Sequence, residues 1–254
     1  MITLIDLTDL SDERSADGIG ALCARAALHG TAAVCVWPEH VARCEAELAG
    51  TRVRIATVVN FPNGDESIGA VVDQTSRALD DGAHEIDVVM PYRSLLADGP
   101  AHTVAMLDAV RDATGDLVLK VILETGALVE PDAVRTATRL TIDHGADFVK
   151  TSTGKTPVSA TPGAVRVMLD VIRAGVAADA GGRRVGIKPS GGIRTFDDGR
   201  AYLTIADDVM GPGWATPSTF RFGASGLLDA LLIVGLDAGP DVGPDVALGG
   251  TDPA

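Results

Sequence analysis

Aromatic side chains are scarce, at 4% of the chain. A core built from this sequence must therefore be mostly Ala, Val, Leu and Ile. Cysteine is nearly absent. Cys23, Cys35 and Cys44 are odd in number and lack CxxC spacing, which fits reduced thiols in a cytoplasmic protein better than a disulfide framework. Basic charge is short too: 21 Lys and Arg stand against 35 Asp and Glu, a net charge of −14. That balance argues against nucleic acid or an anionic membrane surface as partner. No apolar run approaches the roughly 20 residues of a membrane helix. The first apolar segment holds Asp6 and Asp9 and has no basic stretch before it, unlike a signal peptide. No HExxH, DxDxDG or Cys/His cluster is present, so no metal is expected. No GxGxxG lies between a strand and a helix, so no dinucleotide cofactor is indicated either.

What the chain does have is alternation. Apolar strand-like runs are read at 2–7, 31–37, 52–60, 84–90, 117–124, 147–152, 184–189 and 219–224. Helical patterns lie between and after them. Ser11 or Asp12 is the expected cap of the first helix; Pro131 and Pro162 open two later ones. Eight β/α units in about 235 residues imply a parallel sheet of (β/α)8 barrel size. A doubly wound open sheet is the alternative. The barrel domain is assigned to residues 1–236. Residues 237–254 repeat Gly-Pro-Asp-Val without an apolar face, and a flexible tail is expected there.

Three of these strands share an unusual feature. Leu117–Glu124, Asp147–Ser152 and Arg184–Pro189 each carry a lysine among apolar residues: Lys120, Lys150 and Lys188. A buried lysine is costly unless paired or neutral. One such residue could snorkel to solvent; three suggest a polar, cationic cavity at one end of a strand bundle. Barrel chemistry sits at the C-terminal ends of strands. Asp6, Cys35, Asp87 and the three lysines are placed to converge there. An ordinary lysine titrates near 10.4, and bringing it to about 7.5 costs about 4 kcal/mol. Desolvation and a neighbouring cation both act in that direction. A pair of interior lysines is therefore what Schiff-base chemistry asks for, with Asp87 moving protons directly or through water. The residues alone do not choose among the three lysines. Cys35 reads more readily as a small buried hydrophobe than as a nucleophile. Gly191-Gly192 follows the seventh strand and Gly223-Ala224-Ser225-Gly226 follows the eighth, opening a helix. Those two loops are where barrels commonly hold phosphate. Arg194 and Arg221 are further candidates for an anion, with a surface ion pair as the alternative for either.

Several blocks together resemble the deoxyribose-phosphate aldolases, class I aldolases of deoxynucleoside catabolism. They include Leu4-Ile5-Asp6-Leu7-Thr8, Ala33-Val34-Cys35-Val36-Trp37-Pro38, Glu85-Ile86-Asp87-Val88-Val89 and Leu119-Lys120-Val121-Ile122-Leu123-Glu124-Thr125-Gly126. Phe148-Val149-Lys150-Thr151-Ser152-Thr153-Gly154-Lys155, Gly186-Ile187-Lys188-Pro189-Ser190-Gly191-Gly192 and Arg221-Phe222-Gly223-Ala224-Ser225 continue them. The resemblance implies reversible, cofactor-free cleavage of 2-deoxy-D-ribose 5-phosphate to acetaldehyde and D-glyceraldehyde 3-phosphate. It assigns the Schiff base to Lys150, the neighbouring cation to Lys188 and water-mediated proton transfer to Asp87. Lys120 and Asp6 orient and relay. Cys35, Thr153, Gly154, Lys155, Gly191, Gly192, Gly223, Ser225 and Gly226 are expected along the substrate and phosphate end. The partners it implies are phosphosugar and aldehyde substrates; the assembly is left open, with a homodimer as one option. The chain departs from the family pattern at Gly226, where relatives often carry a second serine. No tyrosine follows Tyr202, so a role for a C-terminal tyrosine does not carry over.

Overall fold

The computed structural model describes residues 1–11, 16–178 and 184–237. Within them, eight strands run in the order of the chain: β1 Ile5–Asp9, β2 Ala33–Val36, β3 Arg54–Val59, β4 Glu85–Val89, β5 Val118–Ile122, β6 Phe148–Lys150, β7 Gly186–Lys188 and β8 Phe222–Ala224. All pair in parallel, in the order β7-β6-β5-β4-β3-β2-β1-β8. Bridges Ile187–Phe220 and Ser190–Gly223 join the two ends, so the sheet closes into a barrel. The open-sheet alternative is thereby excluded.

The helices between the strands are α1 Ala16–His29, α2 Val41–Leu48, α3 Ile68–Asp80, α4 Tyr92–Asp98, α5 Ala101–Thr114, α6 Thr125–Leu128, α7 Pro131–Asp143, α8 Pro162–Ala178, α9 Phe196–Met210 and α10 Leu227–Asp237. Their ends follow local chemistry. Ser67 accepts from the Ala70 N–H at the start of α3, and Thr195 with Asp198 forms a reciprocal capping box on α9, satisfying N–H groups that have no intrahelical partner. Pro131 occupies the first turn of α7, where its missing N–H costs nothing.

Some expected boundaries move. Residues 2–4 form a 3-10 turn before β1 rather than its first residues, and a second 3-10 turn, opened by Pro38, precedes α2. Helices α4 and α6, of seven and four residues, were not expected; segments this short carry too little periodicity to read. Ser11 is coil, and Asp12, the other expected cap of α1, lies outside the described residues. So does the tail beyond Asp237, the last residue of α10.

Aliphatic residues fill the space between strands and helices as one large cluster. The barrel interior is divided. Leu10, Ala33, Cys35, Ala56 and Val58 form a small apolar cluster of their own, with Ala33, Cys35, Ala56 and Val58 coming from β2 and β3. Strands β1, β4, β5, β6 and β7 send charged groups inward, and Arg221 joins them from just before β8. Strand side chains alternate faces, so Glu85 and Asp87 on β4 point the same way, as do Phe148 and Lys150 on β6.

Candidate active site

Seven charged side chains meet inside the barrel. Asp87, the third residue of β4, is bound by all three strand lysines. Lys120 Nζ lies 2.7 Å from Oδ1, while Lys150 Nζ and Lys188 Nζ each lie 2.8 Å from Oδ2. Register explains the convergence: Asp87 is the cross-strand partner of Lys120, and Lys150 is the partner of Lys188. Lys188 also stands 2.6 Å from Asp6 Oδ2 on β1. Lys120 stands 2.6 Å from Glu85 Oε2. Arg221, immediately before β8, donates to Asp6 Oδ1 at 2.6 Å and to Glu85 Oε1 at 3.1 Å. All seven are buried. The interior is therefore not simply cationic, as three lysines alone implied, but an interlocked lattice of three carboxylates and four cations.

That lattice fixes the protonation of its members. Burial alone would raise the carboxyl of Asp87, yet Lys120, Lys150 and Lys188 hold it well below the usual carboxylate range. Asp6 is likewise held low against burial, by Lys188, Arg221 and Lys120. Lys188 and Lys120 resist the effect of burial because carboxylates flank them, and both stay above an ordinary lysine. Lys150 goes the other way. Burial pushes its amine down, Asp87 opposes this, and the Lys188 cation adds to the fall. Of the three strand lysines it is the one favoured to be a free amine at a given pH.

Lys150 is also the one strand lysine that reaches open space. A cavity of about 470 Å³ lies at the C-terminal end of the barrel, and Lys150 lines its floor. Thr153, Gly154, Lys155, Gly191, Gly192, Gly223 and Ser225 line the walls, together with Thr8, Asp9, Ser11, Ser190 and Arg194. Gly154, Gly191 and Gly192 have φ of 77°, 82° and 79°, a region that favours glycine. At Gly223 the constraint is space. A Cβ there would stand 2.2 Å from Ser190 Oγ and 3.2 Å from Lys188 Cε. The wall is held from behind by Glu124, whose carboxylate accepts from the hydroxyls of Thr153 (2.5 Å) and Thr156 (3.1 Å).

Asp6, Asp87, Lys120 and Lys188 lie beneath this cavity, in contact with Lys150 or with each other. Cys35 is fully buried within the small apolar cluster and does not line the cavity; burial raises its thiol. Gly226 is not part of the wall either. Arg221, a candidate anion ligand by sequence, is instead committed to Asp6 and Glu85 below the lysines. Glu85 was missed altogether. Its signal was its position two residues before Asp87, on the same face of one strand. Among the described residues, no group of three or more His, Cys, Asp or Glu side chains is disposed to hold a metal ion, and no helix is long and apolar enough to cross a membrane.

A closed parallel barrel with a polar cavity at the C-terminal ends of its strands has the architecture of a barrel enzyme. Residues 1–216 match the model of the DeoC/LacD family aldolases. The chain is 46% identical over 237 residues to a deoxyribose-phosphate aldolase of Agrobacterium fabrum, covering 92% of this chain and 89% of that protein. Its backbone resembles a provisionally named deoxyribose-phosphate aldolase from Coccidioides immitis, with a TM-score of 0.79, 33% identity and coverage of 92% and 85% of the two chains. One from Toxoplasma gondii gives a TM-score of 0.83 at 25% identity, covering 96% and 95%. The chain belongs to the DeoC/LacD aldolase family.

Proposed function

We propose that this protein reversibly cleaves 2-deoxy-D-ribose 5-phosphate to D-glyceraldehyde 3-phosphate and acetaldehyde through a Schiff base on Lys150. The observation that carries the reading is that Lys150 alone among the strand lysines combines a lowered amine pKa with a place on the cavity floor. The names of the relatives support the substrate.

In the cleavage direction the Lys150 Nζ lone pair attacks C1 of the open-chain sugar. Loss of water from the carbinolamine gives a protonated imine. The C2–C3 bond then breaks, its electrons flow into the imine, and the C3 hydroxyl gives up its proton as D-glyceraldehyde 3-phosphate leaves. The remaining enamine takes a proton at C2, and hydrolysis frees acetaldehyde and the amine. Asp87, against Lys150, is the group placed to move these protons through a water. Lys188 favours the free amine. Lys120 and Asp6 keep both in position. Lys155, Arg194, Ser225 and the Gly191-Gly192 turn line the cavity around its mouth and suit the phosphate. Such a reaction fits deoxynucleoside and deoxyribose catabolism.

Acetaldehyde followed by borohydride tests the assignment. A two-carbon adduct on Lys150 alone is expected by peptide mapping. An adduct on Lys188 or Lys120, with Lys150 unmodified, would overturn it.

A further inference from the structure

Six of the seven interior charges form a closed circuit of alternating sign. Starting at Lys188, it passes to Asp6 (2.6 Å), Arg221 (2.6 Å), Glu85 (3.1 Å), Lys120 (2.6 Å) and Asp87 (2.7 Å), and returns to Lys188 (2.8 Å). Three cations and three carboxylates cancel. Lys150 hangs from the circuit by one contact, to Asp87 Oδ2. The cluster is neutral when Lys150 is a free amine and carries one surplus positive charge when it is protonated.

Two members of the circuit, Glu85 and Arg221, have no part in the reaction above. They do not line the substrate cavity. They border a separate cavity of about 380 Å³, lined also by Arg54, Phe148, Arg184 and Pro217. Neither touches Lys150, and each binds groups that do or that neighbour them. We propose that Glu85 and Arg221 are positioning residues whose opposite charges close the neutral circuit and so set the protonation of Lys150 from outside the substrate cavity. The inference rests on the reading that Lys150 reacts as a free amine.

The other groups facing Lys150 do not replace this control. Asp87 on β4 and Lys188 on β7 belong to the circuit. Cys35 on β2 acts on Lys150 electrostatically, but burial holds its thiol in the neutral form. Among the cavity-lining residues, Asp9 accepts from Ser11, while Lys155 and Arg194 supply two cations; Glu124, behind the wall, accepts from Thr153 and Thr156. These charges lie outside the circuit and are the same in every variant below, so removing one charge from the circuit is not offset there.

The two residues must then act in opposite directions. Glu85→Gln leaves the circuit positive and disfavours Lys150 protonation, so the pH at which Lys150 becomes reactive falls. Arg221→Gln leaves it negative, so that pH rises. Each shift should be on the order of one pH unit, the size expected for one uncompensated charge at an effective dielectric of about 20. Arg221→Lys, which keeps the charge, should restore the wild-type profile. The double variant Glu85→Gln/Arg221→Gln removes one charge of each sign and should lie near wild type, with no lone charge left to strain the fold. The measurement is the rate of borohydride-trapped acetaldehyde adduct at Lys150 against pH, by peptide mapping, in the intact protein held below each variant's unfolding temperature. Shifts of equal sign, or no shift in the double variant's two parents, would overturn the inference. If either parent fails to fold, a double variant displaced as far as the surviving parent overturns it, and one that returns to wild type supports it. No adduct on Lys150 in the unmodified protein would instead sink the Schiff-base reading itself.

Discussion

Lys188 touches Asp87 and Asp6 at once while adding its positive field to Lys150. Replacing it with Leu keeps most of the volume and removes that field. Asp87 would then act on Lys150 with only Lys120 to share it, and the amine's pKa should rise. A higher pKa means less free amine at a given pH, so the ascending limb of the pH–rate profile should move to higher pH and activity at pH 7 should fall by at least tenfold. Steady-state rates across pH 5 to 9 check this. An unmoved limb with near-normal activity would exclude the cation role of Lys188. Circular dichroism separates this from unfolding, because the substitution also leaves Asp6 with one cation fewer in a buried place.

At the scale of elements, the strands and the loops differ in how much of them was legible. A lysine inside an apolar strand is a conflict between local pattern and burial, and such conflicts mark sites; three of them, in strands adjacent in the sheet, located the cluster. Asp87 was visible as the one acid in the middle of an apolar run. Glu85 was harder, because it sits at the edge of the same run beside His84, where a charge is ordinary. Arg221 was readable as an anion ligand or a surface pair, since it stands close before a glycine-rich turn. Its partners come from β1 and β4, and only the closed barrel brings those across to it. The short helices α4 and α6 had no periodic signal. The turn after β8 was read as a phosphate lip up to Gly226, yet the cavity wall ends at Ser225. A Cβ at Gly226 would meet nothing within 4 Å, so Gly226→Ser should fold normally. A serine there could add one charge-assisted hydrogen bond of roughly 1.5–3 kcal/mol gross, less in solvent. The expected result is a KM for deoxyribose 5-phosphate lowered several-fold, with kcat and the KM for unphosphorylated deoxyribose little changed. Equal shifts for both sugars would place Gly226 away from the phosphate.

For the whole molecule, the interior charges make stability depend on pH with a defined shape. Asp6 and Asp87 have folded pKa values below the ordinary 3.8. Their contribution is complete above that value and is lost as pH falls toward the folded values. Lys188 and Lys120 lie above the ordinary 10.5, so their contribution is complete below it and is lost as pH rises toward their folded values. Lys150 has the opposite sign. Its folded pKa is lowered, so the unfolded chain holds that proton more firmly, and below 10.5 the residue favours unfolding. Lys150→Met should therefore raise the neutral plateau while abolishing cleavage. It strands no carboxylate, because Asp87 keeps Lys120 and Lys188. A gain of about 1–2 kcal/mol would raise Tm by roughly 2–8 °C in a domain of this size. Arg221→Met removes a cation from inside the neutral circuit and leaves Asp6 and Glu85 each short of a partner. It should cost about 3–5 kcal/mol, the usual penalty for breaking a buried pair, and lower Tm at the same pH. Calorimetry of the three proteins between pH 3 and 11 checks both signs together. A Lys150→Met protein less stable than wild type at neutral pH would mean that Lys150 is a structural member of the charge lattice rather than its surplus cation.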